Sequence, residues 1–311
     1  MKRWFLLFSV IILSFRLLGQ QEQSQDELIK SGIDKIKRQD YTGAIRDFNK
    51  TIHINIKSHE AFRGRAEAKY HLGAYVEALN DVNKAIDLNN EYAEAYYTRG
   101  LIYSATKKYD DAITDFDKAL TINSKLYEAT GEKAITYFLM SKEKDAFDLI
   151  NKAIKENKNV AEYFYSRGVL YSYKQKYEKA INDFNKCLEL NPDYNSFNVY
   201  LSRGDANLNI QEYKLAETDF DKAIEIAPGN ANAYNSRGRL FYETNNYTEA
   251  VNDFSKSLEI GPDNSNTIFN LGMAYYKQND IKNSCEHFHK SCSLGNSNAC
   301  KMVIIGCTEK K

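Results

Sequence analysis

The stretch SCEHFHKSCSLGNSNACKMVIIGC, residues 284–307, holds four of the five cysteines in the chain and two of its five histidines. Thiols at this density support three chemistries: a zinc site, a redox-active dithiol, or a pair of disulfides. Zinc needs ligands converging on one point, and Cys285, His289 and Cys292 share a helical face to which Cys300 or Cys307 could add. A catalytic dithiol commonly uses a CxxC spacing, which does not occur here. Disulfides require cysteines whose Cα atoms approach within roughly 7 Å. The choice therefore depends on the elements that carry these residues.

Those elements are helical. Only three prolines occur in 311 residues, and aromatic residues are plentiful, with 23 Tyr and 16 Phe. At 43% hydrophobic and 27% charged residues, the composition excludes wholesale disorder and a polytopic membrane protein. Residues 1–20 stand apart: Lys2 and Arg3 precede the apolar run Trp4 to Phe15, which matches a secretory signal, with cleavage expected near Gly19 to Gln21. An uncleaved anchor is the alternative, since Arg16, Leu17 and Leu18 form a poor approach to a small-residue cleavage site. Without Lys2, Arg3 and Arg16, the 42 basic residues fall to 39 against 42 acidic ones, a net charge of −3 and no basis for nucleic-acid binding.

Internal repetition organises the rest. Gly32, Ala66, Gly100, Ala134, Gly168, Gly204, Gly238 and Gly272 advance by 34 residues, with one step of 36. Twelve residues after each comes a small residue: Ala44, Ala78, Ala112, Ala146, Ala180, Ala216, Ala250 or Ser284. Four further on comes a large apolar one: Phe48, Val82, Phe116, Ile150, Phe184, Phe220, Phe254 or Phe288. Pro192, Pro228 and Pro262 share one phase, 24 residues after the glycine. Within each unit apolar residues recur at helical spacing on both sides of a tight turn, so two antiparallel helices form, and neither can bury its apolar face without a neighbouring unit.

These residues closely resemble the tetratricopeptide repeat family over eight units, residues 25–296. The resemblance implies an all-α, right-handed α-solenoid of eight helix-turn-helix repeats. Residues 297–311 read as a capping helix and tail, in which Met302, Val303, Ile304 and Ile305 cover the last open apolar face. The fourth unit departs from the pattern at Glu143, and the eighth at Ile281 and Ser284. Two extra residues fall between Pro192 and Gly204, where a local change in the superhelix is expected.

This framework addresses the cysteines. If the helices around 282–294 and 297–307 run antiparallel, Cys285 faces Cys307 and Cys292 faces Cys300 in a single register. Cysteines on one helix are about 10 Å apart, too far to bond, and the crossed pairing is offset by a similar amount. Two disulfides are the expectation for an exported chain, with zinc as the alternative. The spacing of Cys292 and Cys300 also resembles cysteine-rich bacterial repeat proteins in which such a pair staples neighbouring helices. Cys187 takes the place of Ala85, Ala119, Ala153, Ala223 or Ser257 and is expected to be buried and free.

A second pattern places Arg65, Arg99, Arg167, Arg203 and Arg237 beside the glycine position, and Asp47, Asp81, Asp115, Asp183, Asp219 and Asp253 fifteen residues after it. This reads as a repeated ion pair between packed helices, or else as a charged track for a ligand. No HExxH, GxSxG, phosphate loop or dinucleotide fingerprint occurs, so no enzymatic activity and no cofactor are expected.

The resemblance implies a concave face lined by the first helix of each unit. The residues it places there include Tyr70, Tyr97, Leu101, Ile135, Phe138, Leu139, Tyr165, Val169, Tyr173, Leu201, Leu208, Tyr242, Phe269 and Tyr276. Glu60, Glu94, Glu128 and Glu162 recur at the starts of these helices. An aromatic groove with an acidic edge suits an extended peptide or partner helix. The expected function is an exported interaction scaffold in a bacterial periplasm or at the cell surface, with a protein or peptide partner and no membrane span in the mature chain. The alternative is a cell-wall glycan or peptidoglycan-associated accessory protein, its tyrosines serving as sugar platforms.

Overall fold

The computed structural model describes residues 24–307. The expected export segment, residues 1–20, lies outside the described residues. Seventeen α-helices occur among those described. Among the described residues they divide between two compact units, one comprising 24–36 with 41–90, the other comprising 37–40 and 91–307. The first contains α1 (Gln25–Lys37, but for its last residue), α2 (Tyr41–Ile54), α3 (His59–His71) and α4 (Tyr75–Leu88). The second begins with the pairs α5 (Ala93–Ala105) and α6 (Tyr109–Ile122), α7 (Tyr127–Leu139) and α8 (Glu143–Glu156), and α9 (Ala161–Tyr173) and α10 (Tyr177–Leu190). It continues with α11 (Ser196–Asn209) and α12 (Tyr213–Ile226), α13 (Ala231–Glu243) and α14 (Tyr247–Ile260), and α15 (Ser265–Lys277) and α16 (Ile281–Ser293). The short α17 (Ser297–Gly306) follows.

Six of the eight hairpins close on a ring laid against a helix backbone. A Cβ added at Gly168 would lie 2.7 Å from Phe184, and one at Gly100 would lie 2.6 Å from Phe116, closer than atoms pack. The same lock joins Gly204 to Phe220, Gly238 to Phe254 and Gly272 to Phe288. Where alanine replaces the glycine the ring is absent, so that Ala66 is matched by Val82 and Ala134 by Ile150. Phe116, Phe184 and Phe220 are fully buried, as are the small residues Ala112, Ala180 and Ala216 four positions before them.

The turn inside each hairpin is equally regular. One residue seven places after the glycine position adopts a left-handed backbone: Gln39, Gly73, Lys107, Ser141, Gln175, Gln211, Asn245 or Asn279. At Gln175 the amide N–H groups of Gln175 and Lys176 return to the carbonyls of Ser172 and Tyr171, each at 2.9 Å, which satisfies the open carbonyls of α9. Within the second unit each second helix packs against its own first helix and against the first helix of the next hairpin, and successive first helices also touch. The extra residues before Gly204 are absorbed by a loop ending at Asn195, itself left-handed with φ 45°, and by a first helix beginning one residue early at Ser196. A close approach between first helices lies elsewhere: a Cβ added at Gly131 of α7 would sit 2.1 Å from Ser166 Oγ of α9.

Candidate functional site

The structure joins Cys285 to Cys307 and Cys292 to Cys300, with Cα separations of 5.5 and 4.7 Å. All four sulfurs of the 284–307 stretch are therefore consumed in two staples between α16 and α17, which leaves none of those thiols to bind zinc. Among the described residues no group of three or more His, Cys, Asp or Glu is placed to hold a metal ion. Cys187 is free and buried, and burial pushes its thiol up to about 12, with Glu162 adding to the effect. The cap itself differs from the expectation. Of its apolar residues only Ala299 is fully buried, whereas Ile304 and Ile305 are 71% and 77% exposed. The staples set the rotation of α17 so that Ala299 meets the preceding hairpin and the two isoleucines do not.

The arginines are also consumed internally. Arg167 Nε and Nη2 donate to the two Asp183 carboxylate oxygens at 2.8 Å, within one hairpin, while Nη1 donates to Asn151 of the preceding hairpin at 2.9 Å. Arg203 repeats the arrangement with Asp219 and Asn185, and Arg237 repeats it with Asp253 and Asp221. In the first unit Arg65 does the same with Asp81 and Asn49. The Arg167 guanidinium lies over the rings of Phe164 and Tyr171, a contact that favours its planar shape over an ammonium. The hydrogen bond to Asp183 raises its affinity for its proton against the opposing pull of burial. Asp183 and its equivalents are buried, so this is a packing device that ties shut each hairpin that carries the pair, and Arg65, Arg167, Arg203 and Arg237 also tie theirs to the one before it. In the first hairpin Ser31 and Lys35 replace the arginine against Asp47.

On the first-helix face of the second unit, Tyr173 stands 56% exposed, Leu139 42% and Tyr276 41%. Tyr173 stacks on Phe138 of the neighbouring α7, with centroids 5.6 Å apart and planes 17° from parallel. Tyr97, Tyr165 and Phe269 are half-buried, each with its ring packed against the locking phenylalanine of its own hairpin. Leu101, Val169 and Leu201 are half-buried beside core residues, and Tyr242 packs edge-on against Tyr247. In the first unit, Tyr70 packs on His71 and Tyr75.

A cavity of about 300 Å³ opens in this face of the second unit, lined by Val169, Ser172, Tyr173, Tyr177, Phe184, Ser202, Asp205, Ala206 and Asn209. A smaller one of about 180 Å³ lies beside Tyr242 and Phe269, with Arg239, Glu243, Asn270 and Met273 completing its wall. The polar residues of the larger cavity were missed in the sequence. A signal existed: Asp205 follows its glycine at a position that is apolar in five hairpins (Ile33, Leu101, Ile135, Val169 and Met273) and otherwise charged at Glu67 and Arg239.

The face is electronegative. Burial, then the neighbouring Glu162 and Glu94, raise the Glu128 carboxyl. Burial alone pushes Glu132 to about 7. Burial and then the charge of Glu132 raise the Tyr173 hydroxyl. Asp205 is also raised by burial, against the opposing influence of Arg239 and Ser236.

Four family models match the chain. Three are described as tetratricopeptide repeat, at residues 93–126 and 161–194, at 197–230 and at 220–252, and one as TPR repeat, at 238–279. The chain is a tetratricopeptide repeat protein, closed at its C-terminal end by a cysteine-stapled helix. Among solved structures it is similar to a chain of the APC/C hetero-tetramer Cut9-Hcn1, with TM-score 0.66 and 14% identity over 94% of this chain and 58% of that one. It is also similar to a tetratricopeptide repeat protein from Parabacteroides merdae ATCC 43184, with TM-score 0.52 and 18% identity over 80% of this chain and 98% of that one. At these identities the likeness establishes the all-α solenoid fold. The chain thus spans little more than half the length of the first of these relatives. No curated protein sequence matches it.

Proposed function

We propose that this protein is an exported scaffold that binds an extended peptide or a partner helix along the first-helix face of its second unit. Repeats of this family support protein partners in general. The observation that carries the more specific reading is the exposed Tyr173–Phe138 stack beside Leu139, on consecutive first helices next to the cavity of about 300 Å³ in that face. Large apolar groups left in water on a repeat array are available to a partner, and aromatic anchors commonly dominate such binding, at about 2 kcal/mol or more each. The locking arginines and phenylalanines are already engaged in packing and offer little to a ligand.

The test is capture by crosslinking in the native envelope, followed by affinity measurement with the captured partner. Replacing Tyr173 and Leu139 together by Ala is expected to weaken binding by about tenfold or more at unchanged helicity. Replacing Lys179 and Asn182, exposed on the second helix α10, is expected to leave it unchanged. The opposite outcome would assign the function to the second-helix side. Export rests on the apolar run Trp4 to Phe15 and on two disulfides, which suit an oxidising compartment. Intact mass of native protein should show a chain starting near Gln20 or Gln21, and a soluble cytosolic protein retaining Met1 would refute it. Among the described residues no helix is long and apolar enough to cross a membrane.

A further inference from the structure

The cavity between α9 and α11 has a chemistry of its own. Its volume of about 300 Å³ lies at the lower end of the range for ligand pockets, the scale of a single large side chain. Tyr173 and Tyr177 supply aromatic walls. Ser172 Oγ is buried and has no hydrogen-bond partner. One of the two Asn209 amide N–H groups is spent on the Asp205 carbonyl at 2.7 Å, and the side-chain oxygen is left to accept. The Asp205 carboxylate is approached by Ser236 at 3.2 Å and Arg239 at 3.4 Å, both on Oδ1.

Hydroxyls, an amide oxygen and a carboxylate are thus presented together, and no cationic side chain lines the cavity. An anionic ligand would meet the Asp205 carboxylate directly, whereas its cationic neighbour Arg239 stands outside the lining. A purely apolar ligand would leave the Ser172 hydroxyl without a partner and desolvate the Asp205 carboxylate further, which is costly. A guanidinium has the complementary set: five N–H donors, no acceptor, a positive charge and a flat face that stacks on tyrosine.

We propose that this cavity receives an arginine side chain of the peptide bound along the first-helix face, an assignment that rests on the peptide-binding reading above. Arg239 then acts as an internal competitor. Its guanidinium is 44% exposed and makes a long contact to the carboxylate that an incoming arginine would use. Removing Asp205 and removing Arg239 should therefore move affinity in opposite directions, whereas a merely structural ion pair would give two losses.

Random dodecapeptides displayed on phage provide the probe, panned against the full oxidised chain, with selected peptides resynthesised carrying arginine or the isosteric, neutral citrulline. The expected result is one arginine enriched at a fixed position, citrulline weakening binding by about tenfold or more, Asp205→Asn abolishing that discrimination and Arg239→Ala tightening binding. Should Asp205→Asn fail to fold by circular dichroism, the citrulline comparison and Arg239→Ala still decide the matter. Binders that lose affinity on Leu101→Ala or Leu139→Ala, both outside the cavity, yet ignore citrulline would overturn the arginine assignment and leave the groove standing. An absence of binders, or binders indifferent to both leucine changes, would overturn the groove and the assignment with it.

Discussion

At the scale of single residues, Glu132 makes the sharpest prediction. Its carboxyl titrates near 7 in the folded chain, against an ordinary value of 4.5, because burial disfavours the charged form. The folded state therefore holds a proton that the unfolded state has released across that window, so stability falls as pH rises from about 4.5 to 7 and is level on either side. Urea unfolding at pH 5 and pH 8 should show this fall in the native sequence and little of it in Glu132→Gln. An equal slope in both would assign the dependence to another group. Residue roles were legible where they repeat. The Arg and Asp positions stood out by phase; the third partner, Asn151 for Arg167, recurs in phase as well, at Asn49, Asn185 and Asp221, but spacing alone does not show that its bond runs to the arginine of the next hairpin. The cavity residues were less legible still. Ser172, Ser202 and Asp205 belong to two different hairpins and recur nowhere else in the same combination, so only the packing of α9 against α11 brings them together.

At the scale of elements, helix positions and the place of the turn between them followed from the 34-residue phase, and the backbone conformation of that turn did not. The periodicity marks where apolar residues face a neighbour, whereas the left-handed turn residue is Gln, Lys, Ser or Asn in all but one hairpin and carries no consistent mark. Only Gly73 meets the backbone demand without a side-chain penalty. A non-glycine residue in that region costs roughly 1–2 kcal/mol, so Gln175→Gly is expected to stabilise the α9–α10 hairpin by about 1 kcal/mol after the added chain entropy of glycine is set against it. Hydrogen exchange of α9 and α10 amides would read the gain, and slower protection loss in Gly73→Ala than in the native chain would contradict the reasoning. The capping helix shows the same limit. Its existence and staples were legible in the cysteine spacing, but its rotation was not, because four consecutive apolar residues point around the whole helix and cannot all be covered by one neighbour.

At the scale of the whole molecule, stability in a repeat array is passed chiefly between neighbours. The Cys285–Cys307 bond closes 22 residues of chain, and a loop of that size is worth about 3 kcal/mol in the chain-entropy account. Replacing both cysteines by Ser should therefore release protection in α17 and the start of α16, where Cys285 sits, while leaving α9 and α10 as they were. A uniform loss along the chain would show instead that the second unit unfolds as one cooperative body.

The ring-on-glycine lock has a consequence for how such a chain can change length. From Gly100 onward each locking phenylalanine covers a glycine of its own hairpin, 16 residues before it. A recombination event that inserts or removes one whole unit in the gene, with its crossover in the connecting loops, carries both halves of the lock together. The alanine-with-isoleucine variant at Ala134 and Ile150 would travel intact in the same way. A crossover inside a hairpin could instead set an alanine under a phenylalanine ring, a clash with no room to relax. Lineages of this protein should therefore differ in length by multiples of a repeat, with their breakpoints falling in segments such as 191–195 and 227–230 rather than in the turns within hairpins.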